Sequence, residues 1–346
     1  MTSNATARWP ASRARGFTLI ELMISMVLGL VIVGSVMGVM LANKRTYSTT
    51  EGLSQVQESA RTAYELLAHD IRQADGNGCG TSTGTANVLA STALWWQSWF
   101  GIRGFDSSQT DSAVAFGTGV GERVAGTDSI RVESMDGTGM SIGQHFPAAW
   151  RLDIPAAASD FVAGEIMLVC DFDHATIFQA SSVTSAGGTV SVFHNNGVGT
   201  PGNCSQGLGI PTSCASVTGN TYTFPRNSQI GRLVATDWYI GNNGRAAEGG
   251  LSLFRRRLSV VANQPTVLTE EVVAGITDME IQYRATGSDT IHPSAAPVPD
   301  WSVISTVLIR ITAQSSAIGV TTNNALNSGR ISKDYNYLVS LRNRLP

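Results

Sequence analysis

One apolar run near the start constrains this chain more than anything else in it. From Phe17 to Ala42 there are 26 residues and a single ionisable side chain, Glu21. A helix needs about 20 apolar residues to cross a bilayer, so the run is long enough to span one. A lone carboxylate inside such a run is costly in hydrocarbon and demands a partner, and its own segment shows none. An ordinary secretory signal fits poorly. The run exceeds the roughly 7–15 residues of a signal core, and no small-x-small cleavage site closes it. Arg8, Arg13 and Arg15 precede the run and no acid does. That asymmetry predicts that residues 1–16 start in the cytoplasm and the rest is exported.

Cleavage after Gly16 would make Phe17 an amino terminus with a positive charge. Glu21 would then lie four residues along, on the same helix face. A carboxylate and an ammonium in low dielectric must pair, either within the chain or with a neighbouring subunit. Losing the three leader arginines, its only charged residues, would move the formal charge from −3 to −6.

The stretch Arg15-Gly-Phe-Thr-Leu-Ile-Glu-Leu-Met23 resembles the class III signal of type IV prepilins and of the pseudopilins of type II secretion. The resemblance implies that prepilin peptidase cuts after Gly16 and that Phe17 is N-methylated. It implies that Glu21 pairs with the terminal amine of an adjacent subunit during assembly, membrane lipid holding the run only before then. Gly34, Gly38 and Ala42 recur at i, i+4 and i+8. They would let another helix approach closely, against the simpler reading that glycine is common in membrane helices.

Beyond Lys44 and Arg45, Leu53, Val56, Ala60, Ala63, Leu67, Ile71 and Ala74 form an amphipathic stripe. Gly76-Asn-Gly-Cys-Gly80 stops it. Helix from Phe17 to about residue 75 would be about 90 Å long, with its second half needing a sheet to cover the stripe. The expected organisation is a leader at 1–16, a transmembrane half-helix at 17–43, an amphipathic half at 44–76 and a β-rich exported head at 77–346.

Composition supports that head. Charged residues are only 14% of the chain against 42% hydrophobic, and 36 Gly with 11 Pro punctuate it, which favours many turns and short strands. The resemblance to pilins implies the fold class α+β, a long helix packed on a β-rich head of two sheets. A formal charge of −3 argues against nucleic acid as a main partner.

Cys79, Cys170, Cys204 and Cys214 all follow the span. An even, exported set reads as two disulfides. Three connectivities are open. The one favoured joins Cys204 to Cys214 across a short Gly/Pro/Ser loop and leaves Cys79–Cys170 as a long-range tie. The spacings do not resemble a zinc site.

Strand-like segments run through the body. They are Ser129–Ser134, Gly164–Cys170, Ala175–Gln179, Val190–Phe193, Gly231–Ala235, Asp237–Ile240, Leu251–Arg256, Thr266–Glu271, Val272–Tyr283 and Trp301–Thr312. Asn242-Asn-Gly244 signals a hairpin, and Met279, Ile281 and Tyr283 should share a face.

Candidate chemistry is sparse. Asp171, Asp173 and His174 are the one acid/histidine cluster. A calcium loop would need a longer array with a terminal Glu, so a polar turn is the better reading. Arg255-Arg256-Arg257 reads as a solvated strand edge, and the aromatics from Leu94 to Phe105 as a loop covering one end of the core. No nucleophile elbow, phosphate loop or zinc-protease motif is present. No catalytic residue, metal or cofactor is expected.

Weaker pieces add to the resemblance: Gly101-Ile-Arg-Gly-Phe105, Thr127-Asp-Ser-Ile-Arg131, Leu251-Ser-Leu-Phe-Arg255, Glu271–Tyr283 and Leu338-Val-Ser-Leu-Arg-Asn-Arg344. Together they resemble the large minor pilins of the PilW type and, beside them, the J-type pseudopilin of type II secretion. The final Leu-Arg-Asn-Arg favours the former. The resemblance implies an inner-membrane protein with a periplasmic head in a Gram-negative bacterium. It would join other minor pilins, the major pilin and the inner-membrane assembly platform, priming the pilus and staying at its tip. A tip adhesin using the Trp95–Phe105 or Cys204–Cys214 loop is a competing reading.

Overall fold

The computed structural model describes residues 16–80, 84–136, 140–155, 160–295, 298, 300–321 and 327–344. The leader arginines lie outside them. The chain divides into two compact units, one ending at Glu51 and one beginning at Gly52. One helix, α1 (Leu19–Gln73), contributes to both.

In the first unit α1 is exposed along almost its whole length, with Ser48 half-buried. Its large apolar side chains, from Leu19 to Leu41, stand open. It is long and apolar enough to cross a membrane.

The second unit has sixteen strands among the described residues. In chain order these are β1 (Gly84–Asn87), β2 (Ile102–Phe105), β3 (Ser129–Met135), β4 (Gln144–Phe146), β5 (Arg151–Pro155), β6 (Ile166–Cys170), β7 (His174–Gln179) and β8 (Ser182–Ala186). There follow β9 (Thr189–Phe193), β10 (Gln229–Asn242), β11 (Leu251–Val261), β12 (Gln264–Ala274), β13 (Ile276–Ala285), β14 (Ile291–His292), β15 (Ile304–Gln314) and β16 (Ser332–Ser340). They make three sheets, not two: an eight-stranded one, β14-β13-β15-β16, and β4-β5-β9-β8. The added sheet comes from strands of three to five residues, too short for a strong periodic signal.

Strand β10 organises the large sheet. The two segments expected at 231–235 and 237–240 are one strand of 14 residues. One edge of it serves two partners in turn, β6 along Gln229–Arg232 and β3 along Leu233–Tyr239. The other edge pairs with β11. Strands β12 and β13 are separated only by Gly275, yet belong to different sheets. Gly275 has φ +78° and lies against the Gln314 carbonyl. Only a residue without Cβ turns the chain there cheaply.

The helical stripe is buried as its spacing requires: Val56, Ala60, Ala63, Leu67, Ile71 and Ala74 are all fully enclosed. They share one core with Ile102, Ile130, Val132 and Trp238 of the large sheet, and with Met279, Ile281, Tyr283, Val307, Ile309 and Val339 of the β13–β16 sheet. Trp238 Nε1 donates to Asp70 Oδ2 at 2.9 Å, locking helix to sheet. Strand β6 is buried on both faces. Met167 and Val169 pack toward β5 and β9, and Ile166, Leu168 and Cys170 toward Trp95 and Trp96. That explains its unbroken apolar run.

One buried carboxyl and one pair of buried histidines set opposite pH limbs. Burial pushes the Glu133 carboxyl up to about 8, although its Oε2 accepts from the Phe100 amide at 2.6 Å. Burial drives His145 and His194, edge to face at 5.5 Å, down to about 4 and about 3. The folded chain therefore holds a proton on Glu133 that the unfolded chain loses above pH 4.5, and this contribution is lost as pH rises toward 8. The histidine contribution is present above pH 6.5 and lost as pH falls.

Two outcomes follow from this packing. Leu67→Ala should lower unfolding free energy by roughly 2–5 kcal/mol in urea titrations, the range for emptying a closed core site. Between pH 6.5 and 8, Glu133→Gln should gain stability relative to the natural chain by up to roughly 1 kcal/mol per pH unit. A pH-independent difference between the two would mean that Glu133 is ionised in the fold.

Candidate functional site at the N terminus

The residues from Gly16 to Glu21 form a single local structure in the first unit. Gly16 and Phe17 lie outside the helix and are exposed, Phe17 to 85%. The bond between them is thus an accessible, non-helical peptide just ahead of a helix. Thr18 is the N-cap of α1. Its Oγ1 accepts from the Glu21 amide at 3.3 Å, and its own amide and hydroxyl both donate to Glu21 Oε2 at 3.0 Å. This is a capping box, Thr-x-x-Glu, in which each side chain satisfies the other's backbone N–H.

The geometry corrects the expectation that Glu21 has no partner in its own segment. It has Thr18, and the Thr-x-x-Glu spacing was the available signal. The carboxylate is held by one oxygen, while Oε1 carries no hydrogen bond among the described residues. A second donor, such as an ammonium, would meet a carboxylate already oriented at the positive end of a helix dipole. Farther along, Gly34 and Gly38 have open space where a Cβ would stand, and Ala42 is exposed.

The other residues singled out by sequence are distributed over the second unit and form no joint site. Disulfides join Cys79 to Cys170 and Cys204 to Cys214. Asp171 caps the turn between β6 and β7: its Oδ1 accepts from the amides of Asp173 and His174, and its Oδ2 from Tyr222 Oη. His174 stacks on Tyr222 and bonds the Leu208 carbonyl. Among the described residues no group of three or more His, Cys, Asp or Glu is arranged to hold a metal.

Arg255, Arg256 and Arg257 are not on a free edge, because β11 is paired on both sides. Arg255 and Arg257 both reach Glu270 on β12, and Arg256 reaches the Ala113 carbonyl. Trp95 and Trp96 are core residues, whereas Trp99 and Phe100 reach the surface.

Sequence reasoning missed the role of the chain's end. Asn343 Nδ2 donates to the Gln73 and Ala74 carbonyls, and Arg344 Nε to Asp75 Oδ2. These bonds satisfy acceptors that a helix C-terminus leaves open, and give Leu-Arg-Asn-Arg a structural use.

Comparison with known proteins agrees with the N-terminal geometry. The family described as "Prokaryotic N-terminal methylation motif" matches residues 11–37. The chain thus carries a prepilin-like methylation motif across Gly16, Phe17 and Glu21. No curated protein matches the chain. Among solved structures, a type IV-like pilin from Thermus thermophilus is similar at 9% identity and a TM-score of 0.32, over 84% of this chain and 98% of that one.

The capping box makes a local prediction. Thr18→Ala should speed hydrogen exchange of the Thr18 and Glu21 amides by roughly fivefold in detergent micelles, the loss expected of an ordinary cap. Exchange unchanged from the natural chain would mean that the first turn is held by something other than Thr18.

Proposed function

We propose that the chain is a minor pilin of the PilW type, an assembly subunit rather than an enzyme. One observation carries this reading. A prepilin-like methylation motif at residues 11–37 leads directly into a helix whose first part is exposed and apolar and whose later part is the core of a β-rich head. A cleaved secretory signal would not be continuous with the core of the mature fold.

On this reading prepilin peptidase cuts the accessible Gly16–Phe17 bond, and Phe17 is N-methylated. The exposed run is held by inner-membrane lipid until the subunit enters a fibre, with the head on the periplasmic side of a Gram-negative bacterium. Glu21 then receives the terminal ammonium of an adjacent subunit, and the face of Gly34, Gly38 and Ala42 admits a neighbouring helix. Partners are the other minor pilins, the major pilin and the assembly platform. The subunit helps to prime the pilus and remains at its tip.

Mass spectrometry of the mature protein tests this. The expected product begins at a singly methylated Phe17. Glu21→Ala should leave that cleavage intact while surface pili fall to a small fraction of the normal number. A mature chain beginning at Met1, or full piliation in the Glu21→Ala strain, would refute the assembly role.

A further inference from the structure

Three depressions adjoin at one pole of the second unit, about 30 Å along α1 from Gly52. The largest, about 640 Å³, is lined by Trp99, Phe100, Asp300 and Trp301 among others. A second, about 360 Å³, also uses Trp301, and a third, about 320 Å³, also uses Phe100. Arg103 and Phe105 line both of the smaller two. The result is one continuous surface floored by aromatic rings from two separate stretches of chain, residues 95–105 and Trp301.

Arg103 is the residue on this surface that the fold does not explain. Its strand neighbours all have structural work. Ile102 lies in the helix core, a Cβ on Gly104 would overlap the Tyr283 hydroxyl, and the Phe105 ring centre lies 4.5 Å from the Arg131 guanidinium. Gly101, at φ +68°, meets the Asp75 carboxylate. Arg103 is half-buried, its guanidinium 5.1 Å from the Phe100 ring centre and 5.5 Å from that of Phe105. No hydrogen bond or ion pair reaches this guanidinium among the described residues. By contrast Arg131, Arg232, Arg255 and Arg344 all have carboxylate partners.

A guanidinium held between aromatic faces is fixed in place and keeps its N–H fork for an incoming acceptor. That fork matches a carboxylate. The flanking rings are also fixed: Trp99 Nε1 donates to Asp75 Oδ1 at 3.2 Å, and Trp301 packs edge-on against Tyr283 at 4.9 Å. Rigid aromatic platforms bind at low entropic cost. A ligand that uses all of this has flat C–H faces to lie on rings, hydroxyls for a polar rim that includes Asp300, and a carboxylate. An acidic peptide brings the charge, but its usual recognition is through backbone bonds to a strand edge, which leaves this side-chain floor idle.

We propose that this surface binds an acidic saccharide, with its carboxylate on Arg103 and its sugar rings on Trp99, Phe100 and Trp301. The site uses the second unit alone and does not depend on how the chain is assembled.

The test is calorimetric titration of the full chain in detergent micelles with trigalacturonic acid and its methyl ester, and with sialyllactose and lactose. At least one acid should bind at least roughly tenfold tighter than its neutral counterpart, a difference of one decade in Kd. Arg103→Gln should erase that preference without moving the melting temperature, and Arg103→Lys should keep part of it. Trp301→Ala, at a ring that does not hold Arg103, should weaken acid and neutral forms alike. The proposal is overturned if neither acid binds by about 10 mM, weaker than any affinity worth a specific site. It is equally overturned if Arg103→Gln retains the preference, or if a glutamate-rich peptide binds more tightly than either acid.

Discussion

A helix with Val56, Ala60, Ala63, Leu67, Ile71 and Ala74 along one face cannot stand alone in water, and the second unit is built to close over it. Small residues at three of those positions are as important as the large ones. Ala60, Ala63 and Ala74 let backbone and sheet approach closely, and both the large sheet and the β13–β16 sheet contribute side chains to the same core. The switch at Gly275 follows from this demand. A chain that must line the helix from two sheets has to leave one and enter the other, and it does so across a single residue. The far end of the helix is then closed by Asn343 and Arg344.

The face of the large sheet turned away from the helix is solved differently, with charge. Asp237 lies directly between Arg131 on β3 and Arg256 on β11. Burial, with the Asp111 carboxylate alongside, holds Asp237 well above the ordinary carboxylate range. Arg131 is ion-paired to Asp111, and Arg123, fully enclosed, donates to the carbonyls of Phe105, Asp106, Gln109 and Thr127. Such buried ions seldom add much net stability, but removing one partner leaves the other stranded. Here they tie a long irregular segment, residues 105–127, onto the sheet where no regular strand pairing is available.

What could be read from residues alone follows from period and length. The helical stripe repeats over six turns, so most of its buried set was legible; Leu53 is only partly covered, and Gly52 and Ala68, off the expected stripe, are buried as well because sheets close on the helix from two sides. Met279, Ile281 and Tyr283 alternate against Glu280 and Gln282, and their burial does the same. The small sheet escaped because β4, β5, β8 and β9 are short, although Leu152 and Ile154 do alternate. Strand β10 was split in two because Thr236, in the middle of it, interrupts the apolar run. Its partner changes near that point, which one-dimensional pattern cannot express. The Arg255–Arg257 run looked like an edge because its counter-charge, Glu270, arrives from the next strand. At the N terminus the chemistry was legible but the geometry was not: Thr18 was read as part of a motif and not as the cap that holds Glu21.

That cap changes the energetics of the proposed assembly step. A bare carboxylate in hydrocarbon would have to be desolvated and then oriented before an ammonium could pair with it. Thr18 removes both burdens in part, since one oxygen of Glu21 is satisfied by the first amide and hydroxyl of the helix. The same bonds fix the side chain against the helix end, where the dipole favours a negative charge. The arriving amine would then add a bond to a site whose other groups are satisfied, instead of rescuing an unpaired ion. Thr18 and Glu21 are in that sense one device, and Thr18 belongs with Glu21 among the residues on which pairing between subunits would depend.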